Sequence, residues 1–485
     1  MEQMTIQEAI KYGIKYAKKQ KAKSVEGHGS SITSVGLEVE KGRPSVSNGI
    51  NKGCSFRVIY DNNIGFAFTT NLTQASIEQA IKSAIGNAKV RGPDHVKLSF
   101  PETNPSTSEV KFDPSLLDVD ISDIGDYYDQ IREPCESSNL NFLGAQLMYS
   151  CGDMIIHNSS GLEVEQKIGF IGGGAFLLSL KGLIPSWGGE FTGSRYINKI
   201  DWTDLGHRCV SEVKNVEGPK TINYSGEVPV IFQPDALGGI FGGLMNVLNT
   251  MLRGDSLYQK STYFADRIGE EVATADFSFI DDGLHEDGLF SSKYDHEGVP
   301  TTTLPLIEKG VLKNFLLDNY YASKLETESN GKCSRFGGFG GLNPIKQSPG
   351  IGTYTTVIAP GDASYDEMVQ ETKEGFSINN IMGVHMSDYA SGRFSVTGSG
   401  HFIKNGAIKY PVQDIAISGD IPSLLQKIDM IGKEQKIGLG TIVPPLRISS
   451  LSINSQKMSM KFKSMLLMLK VLTTLKLMKH PIAAD

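Results

Sequence analysis

The chain has 485 residues, of which 39% are hydrophobic and 21% charged. That length suits roughly three domains at ~150 residues each, and the apolar content can fill sizeable cores, which excludes wholesale disorder. The formal net charge is -7, but residues 455–485 carry six lysines and one acid, so the first 454 residues hold 41 basic and 53 acidic side chains. An acidic body argues against direct nucleic-acid binding, which needs a basic face for phosphate.

No apolar run reaches the ~18 residues of a membrane span. The segment from Met1 to Lys23 mixes Glu2, Glu8 and lysines and has no continuous apolar stretch of the signal-peptide kind, so a cytoplasmic chain is expected. The cysteines, Cys54, Cys135, Cys151, Cys209 and Cys333, are odd in number and form no Cys-x-x-Cys pair. That disfavours a disulfide framework or a thiolate zinc site.

In chain order, Ile6, Ala9, Ile10, Ile14 and Ala17 fall at helical spacing. Ser30 to Glu40 alternates loosely, Ser55 to Tyr60 reads as a strand, and Asn48-Gly49 and Asp61-Asn62-Asn63 are turn signals. Thr73 caps a helix with Ile77, Ala80, Ile81, Ala84, Ile85 and Ala88 on one face. A linker rich in Pro, Ser, Thr and Asp comes next. A helix is expected over Ile121–Arg132, stopped by Pro134. Residues 142–157 and 162–180 read as strands joined by the turn Asn158-Ser159-Ser160-Gly161, and 202–214 as a helix, with a boundary at Glu217-Gly218-Pro219.

The pattern restarts with the apolar strand Val228 to Phe232. Pro234 then opens a helix whose apolar face runs from Leu237 to Leu252. Beyond it the chain is β-rich, with hairpin turns at Glu308-Lys309-Gly310 and Lys404-Asn405-Gly406, a short helix over Asp420–Ile431 and a final strand from Pro444 to Ile453. The fold class expected is α+β: an N-terminal module (1–95), a linker (96–114), a middle module (115–220), a β-rich C-terminal domain (225–454) and a basic tail (455–485). The tail reads either as an amphipathic helix or as a disordered appendage, since Met458, Phe462, Met465, Leu466, Leu469 and Leu472 fall at helical spacing.

Few segments of the chain carry the pattern of a known chemical motif. A zinc helix of the protease type needs two histidines a turn apart with a Glu between them, and nothing here fits. His285-Glu286 and His296-Glu297 lie in Asp/Gly-rich segments and read as solvated loop charges. Asn330-Gly331-Lys332-Cys333 resembles the end of a phosphate loop but lacks its first glycine and the Ser/Thr after Lys. The Gly337-Gly338-Phe339-Gly340-Gly341 cluster opens no helix and reads as a loop. His385 has Asp388, Ser391 and Arg393 close by in sequence, which sets nucleophilic catalysis against a locally bonded loop histidine.

Several longer stretches carry a resemblance. YDHEGVPTTTLPLIEKGVLKNFLLDNYYASK (294–324), MGVHMSDYASGRFSVTGSGHFIKNGAIKYPVQDIAISGDI (382–421) and PPLRISSLSI (444–453) resemble the TldD/PmbA family of peptidases, also described as modulators of DNA gyrase. RVIYDNNIGFAFTTNLTQASIEQAIKSAI (57–85) and MIIHNSSGLEVEQ (154–166) resemble its N-terminal and middle modules. The resemblance implies a pair of related subunits. One, TldD-type, is a zinc metalloprotease with a His-Glu-x-x-x-His helix and a later Cys; the other, PmbA/TldE-type, lacks these ligands.

Carried onto this chain, the ligand segment falls near Gly242-Gly243-Leu244-Met245-Asn246-Val247, where no side chain is an effective zinc ligand, and no Cys follows Cys333. The resemblance therefore implies a TldE-type subunit without catalytic, cofactor or metal residues of its own. Zinc is expected in a TldD-type partner, and unfolded peptide as the substrate of the pair. Two alternatives stand beside it: a self-sufficient hydrolase using His296, Glu297, His385 or Ser391, and a protein-binding modulator with no proteolytic role. Gly238, Gly239, Gly242 and Gly243 in the expected helix point either to a subunit interface or to internal packing.

Overall fold

The computed structural model describes residues 3–455 apart from 41, 92, 103–104, 240–242 and 336–342. The basic tail beyond Ser455, the glycine cluster at 337–341 and Gly242 thus lie outside the described residues.

The N-terminal half is built on one antiparallel sheet. Helix α1 (Ile6–Lys19) starts at Thr5, whose hydroxyl accepts from the Glu8 N–H while the Glu8 carboxylate takes the Thr5 N–H. Strands β1 (Ser24–Glu40), β2 (Arg43–Tyr60) and β3 (Asn63–Thr69) come next, then α2 (Gln74–Arg91). The middle part adds α3 (Ile121–Glu136), β4 (Asn141–Asn158), β5 (Glu163–Ser179), β6 (Ser186–Ser194) and α4 (Trp202–Asn215). The strands form a single sheet in the order β3-β2-β1-β4-β5-β6, because β1 pairs with β4 from Glu26 opposite Asn158 to Glu40 opposite Gly144. The two modules read separately in the sequence thus share one sheet. Asp61 and Asn62 both take positive φ, 47° and 56°, which gives the tight β2–β3 turn.

These four helices pack on one face of the sheet. Ile10, Phe56, Ile77 and Ile81 meet under α1 and α2, and Leu147, Ile171, Trp202 and Leu205 under α3 and α4. Pro134 does not stop α3 as expected; the helix continues through it to Glu136. Pro134 forgoes the bond its N–H would give to the carbonyl four residues earlier, and the helix ends two residues beyond it. Residues 93–102 are not detached. Leu98 and Phe100 are buried against Ile59.

Strand β7 (Tyr224–Phe232) opens the second half. It pairs in parallel with Glu374–Met382 and antiparallel with Leu446–Ser455; the sheet continues through Arg393–Lys404 to Ala407–Asp420. That last strand pairs back onto Leu446–Ser455, so the ring closes into a small barrel filled by Val230, Phe376, Ile415 and Ile448 among others. The expected hairpins are present: Lys309 and Gly310, and Asn405 and Gly406, all take positive φ. Two expectations need correction. The helix read over Asp420–Ile431 ends at Gln426, and Ile428–Ile431 is a strand on the barrel edge. The helix read from Pro234 to Leu252 is two short ones, α5 (Pro234–Gly238) and α6 (Met245–Met251). Gly239 leaves the helical region with ψ 171°.

Candidate functional site

The face of the N-terminal sheet opposite its helices packs against the loops that follow β7, and the junction is lined with charge. Glu26, His28 and Ser30 on β1 and Ser55 and Arg57 on β2 point to this side, and all are buried. Arg57 forks onto Glu26, with Nε to Oε1 at 3.0 Å and Nη2 to Oε2 at 2.5 Å, and its Nη1 reaches Glu297 Oε1 at 2.7 Å. Arg335 Nη2 takes the same Glu26 Oε1 at 3.1 Å, and its Nη1 donates to Ser55 Oγ and the Gln347 carbonyl. Two carboxylates and two guanidiniums thus interlock with no net charge. Burial opposes the Arg57 charge, but Glu26 and Glu297 outweigh it and hold its pKa above the usual range. For Arg335, burial wins and brings the pKa down to about 10.

In the remaining groups burial disfavours the charged form. Burial, reinforced by Arg335, brings His296 down to about 3, and His28 is pushed well below the imidazole range by burial and Arg335. The two rings lie 5.9 Å apart. His296 Nδ1 accepts the Arg335 N–H at 2.6 Å. Burial and then Glu297 raise Asp295 well above the carboxylate range and Asp318 to about 7. Asp295 accepts from the backbone N–H groups of Glu297, Val299 and Cys333.

His296 and Glu297 are therefore not the solvated loop charges that composition suggests. They are 2% and 1% exposed and are fixed by Arg335 and Arg57. A carboxylate held by an arginine, and an imidazole whose bare nitrogen already accepts a backbone N–H, are poorly placed to take a proton from substrate. Lys332, in the segment resembling a phosphate loop, is also buried, with Nζ 2.8 Å from Asp281. His385 and Ser391 are not brought together: His385 is exposed, and Ser391 donates to Asp388 at 2.6 Å in a surface turn.

Above the network lies a cleft walled by α5 and α6 on one side and residues 334–335 and 347–356 on the other. From α6 it receives Asn246, Asn249 and Thr250, followed by Arg253; from the facing wall, Arg335 and Tyr354. Asn249 Nδ2 donates to Thr356 Oγ1 at 2.9 Å, and Arg253 forks onto Asp255 at 3.0 and 2.8 Å. Amide, hydroxyl and guanidinium groups do not make a zinc site, which wants imidazole, thiolate or carboxylate. Among the described residues, no group of three or more His, Cys, Asp and Glu is placed to hold a metal ion. Cys333 is buried and its thiol is pushed well above its ordinary pKa, the opposite of an activated thiolate. The glycines around α5 serve internal packing. A Cβ on Gly238 would come 2.6 Å from Thr441 Oγ1, one on Gly239 2.3 Å from the Asp235 carbonyl, and one on Gly243 2.0 Å from the Leu237 backbone.

This arrangement, a helix-backed sheet laid over a small barrel with the cleft beside the strand-to-helix step after β7, is that of a metallopeptidase family. Residues 29–88 match the model of PmbA/TldA metallopeptidase domain 1, and residues 225–455 that of the PmbA/TldA metallopeptidase C-terminal domain. The chain belongs to the TldD/PmbA family. It is 27% identical to the zinc metalloprotease TldD homolog of Saccharolobus solfataricus, over 85% of this chain and 91% of that protein. It is 25% identical to the metalloprotease PmbA of Escherichia coli O157:H7, over 80% and 83%. The crystal structure of TldE from Thermococcus kodakarensis superposes with a TM-score of 0.81 and 26% identity, covering 92% of this chain and 100% of that one.

Sequence reasoning found the family but missed the network of Glu26, Arg57 and Arg335. The one available signal was charge at inward positions of strands, Glu26 and His28 on β1 and Arg57 on β2.

Proposed function

We propose that this chain is a TldE-type subunit of a zinc metallopeptidase, which contributes structure and substrate handling while a TldD-type partner supplies the metal and the chemistry. The observation that carries the reading is the cleft beside α6. In a family of metallopeptidases, its wall offers Asn246, Asn249, Thr250 and Arg253 where a zinc enzyme needs imidazole and carboxylate. The internal ion network supports a scaffold role, because it commits the buried pair His296 and Glu297 to holding the two halves together. Unfolded peptide is the substrate proposed for the pair. The five buried cysteines, none in a disulfide, suit a reducing, cytoplasmic setting.

The test has two parts. The purified chain is analysed for metal, and less than about one zinc per ten chains is expected if the ligand set is absent. It is then mixed with a TldD-type subunit and the pair followed by size-exclusion chromatography and a peptidase assay. Activity should rise only with the mixed species. One tightly held zinc per chain, or full activity of the partner alone, would overturn the assignment.

A further inference from the structure

Next to the cleft, and sharing Phe290 and Tyr354 with it, is a second pocket. Its floor is the sheet face that carries Glu26 and His28. Strand periodicity of two puts Ile32 of β1 on that face, with Ser150 of β4 and Ile168 and Phe170 of β5 beside it. Residues 289–293 and His296 form the roof, and residues 110–112 close one side. The walls are mixed. The rings of Phe170 and Phe290 meet edge to face at 6.3 Å, while Ser291, Ser292 and Tyr354 give their hydroxyl protons to the carbonyls of His285, Tyr294 and Cys333 at 2.7, 2.8 and 2.8 Å.

The charge in this pocket has one sign. Lys111, Lys167, Arg195 and Lys293 line it, and no described carboxylate does. Lys167 is held by Asp153 at 2.7 Å. Arg195 is buried and donates to backbone carbonyls, those of Gly288, Lys111 and Glu286 at 2.8 Å and that of His285 at 3.4 Å. Carbonyls satisfy its N–H groups and leave its charge uncancelled. The acids near it, Glu286 and Asp287, both pair with Lys199. Lys293 is half-buried, with Nζ 5.8 Å from the Tyr294 ring, and Lys111 is exposed; neither is ion-paired among the described residues. Positive charge over aromatic walls fits an anion that carries an apolar body. The cavity is about 160 Å³, space for roughly a dozen waters, so it admits one residue and not a length of chain. The adjoining cleft, about 570 Å³, has no carboxylate in its described lining either, and the buried Asn249 Oδ1 on its wall has no hydrogen-bond donor, which leaves it free to accept a peptide N–H.

We infer that this pocket holds the C-terminal residue of a peptide lying in the cleft. The free carboxylate faces Lys293, Lys111 and the field of Arg195, the apolar side chain packs on Phe170 and Phe290, and the preceding backbone runs past Asn249. The inference rests on the reading of this chain as a peptide-handling subunit and adds the feature it selects, a free apolar C-terminus. Because the pocket is built from this chain alone, binding is expected without a partner.

The test uses the full chain and a short polyalanine peptide ending in phenylalanine, labelled with fluorescein at its N-terminus and made with a C-terminal carboxylate or a C-terminal amide. Fluorescence anisotropy should show the acid binding about tenfold more tightly than the amide, or more. Lys293→Gln combined with Lys111→Gln should remove most of that preference and leave the affinity for the amide unchanged; both side chains reach solvent, so the fold should be kept, and a circular dichroism melt checks it. N-acetylphenylalanine should displace the labelled acid at concentrations where sodium acetate does not. Equal affinity for acid and amide, or an acid preference that survives the double substitution, overturns this inference and leaves the peptide-handling reading standing. Displacement by acetate as strong as by N-acetylphenylalanine overturns it too, since the pocket would then select charge alone. Failure of both peptides to bind overturns the inference and the peptide-handling reading together.

Discussion

Replacing Arg57 by methionine removes one guanidinium from the centre of the buried network while keeping an unbranched apolar stem over Phe100, whose ring lies 5.0 Å from the guanidinium carbon. Three charge-assisted contacts disappear, two to Glu26 and one to Glu297. Glu26 keeps Arg335 at 3.1 Å, but Glu297 is left with the Asn319 N–H at 2.9 Å and no arginine in contact. The network goes from balanced to one uncompensated negative charge. Removing one member of a buried ion pair costs about 3–5 kcal/mol, because the remaining charge stays desolvated. At ~2–4 °C per kcal/mol for mid-sized domains, the melting temperature should fall by roughly 6–20 °C. The double variant Arg57→Met/Glu297→Gln removes the orphaned charge and restores balance between Glu26 and Arg335. It should therefore be more stable than Arg57→Met alone, by about 1 kcal/mol or more. Circular dichroism melts and urea unfolding of the parent, the two single variants and the double variant measure both quantities. A loss below about 1 kcal/mol for Arg57→Met, or strictly additive effects in the double variant, would refute the claim that these charges are buried and coupled.

Three other outcomes are expected. Asp318 has a pKa of about 7 in the fold against 3.8 ordinarily, so the folded chain binds the extra proton between those values; its contribution is most favourable below about pH 4 and is lost as pH rises through 7. Asp318→Asn cannot titrate, so its melting temperature relative to the parent should climb between about pH 5 and pH 7.5. His296, held at about 3, contributes with the opposite slope, but equally in both chains, so a flat difference would count against the burial assigned to Asp318. Gly65→Ala would place a Cβ 1.8 Å from the Ala84 carbonyl and force α2 off β3. Roughly 1–3 kcal/mol should be lost in urea titrations, and no change would mean that helix and strand are not in such contact. Ser391→Ala and His385→Ala should leave stability within about 1 kcal/mol and the activity of any mixed complex unchanged, since both residues lie on the surface and do not meet. A large activity loss in either would revive a hydrolytic role for that loop.

Much of this protein was legible from sequence by itself. Helical spacing placed α1 and α2, because one apolar face repeats every three to four residues whatever it packs on. The Asn405-Gly406 and Lys309-Gly310 hairpins were equally local, set by residues that tolerate positive φ. Long motifs in order marked the family, and the residue types Gly242-Gly243-Leu244-Met245-Asn246-Val247 were legible one by one. Sequence could not decide which surfaces meet. Nothing local says that β1 pairs with the distant β4, or that the last strand closes a barrel. Nor does His296-Glu297 in a polar loop differ, as a string, from any exposed pair. Its burial comes from the N-terminal sheet laying Arg57 and Glu26 against it. The charges are tolerated there only because Glu26, Arg57, Glu297 and Arg335, contributed by segments far apart in the chain, balance within hydrogen-bond distance.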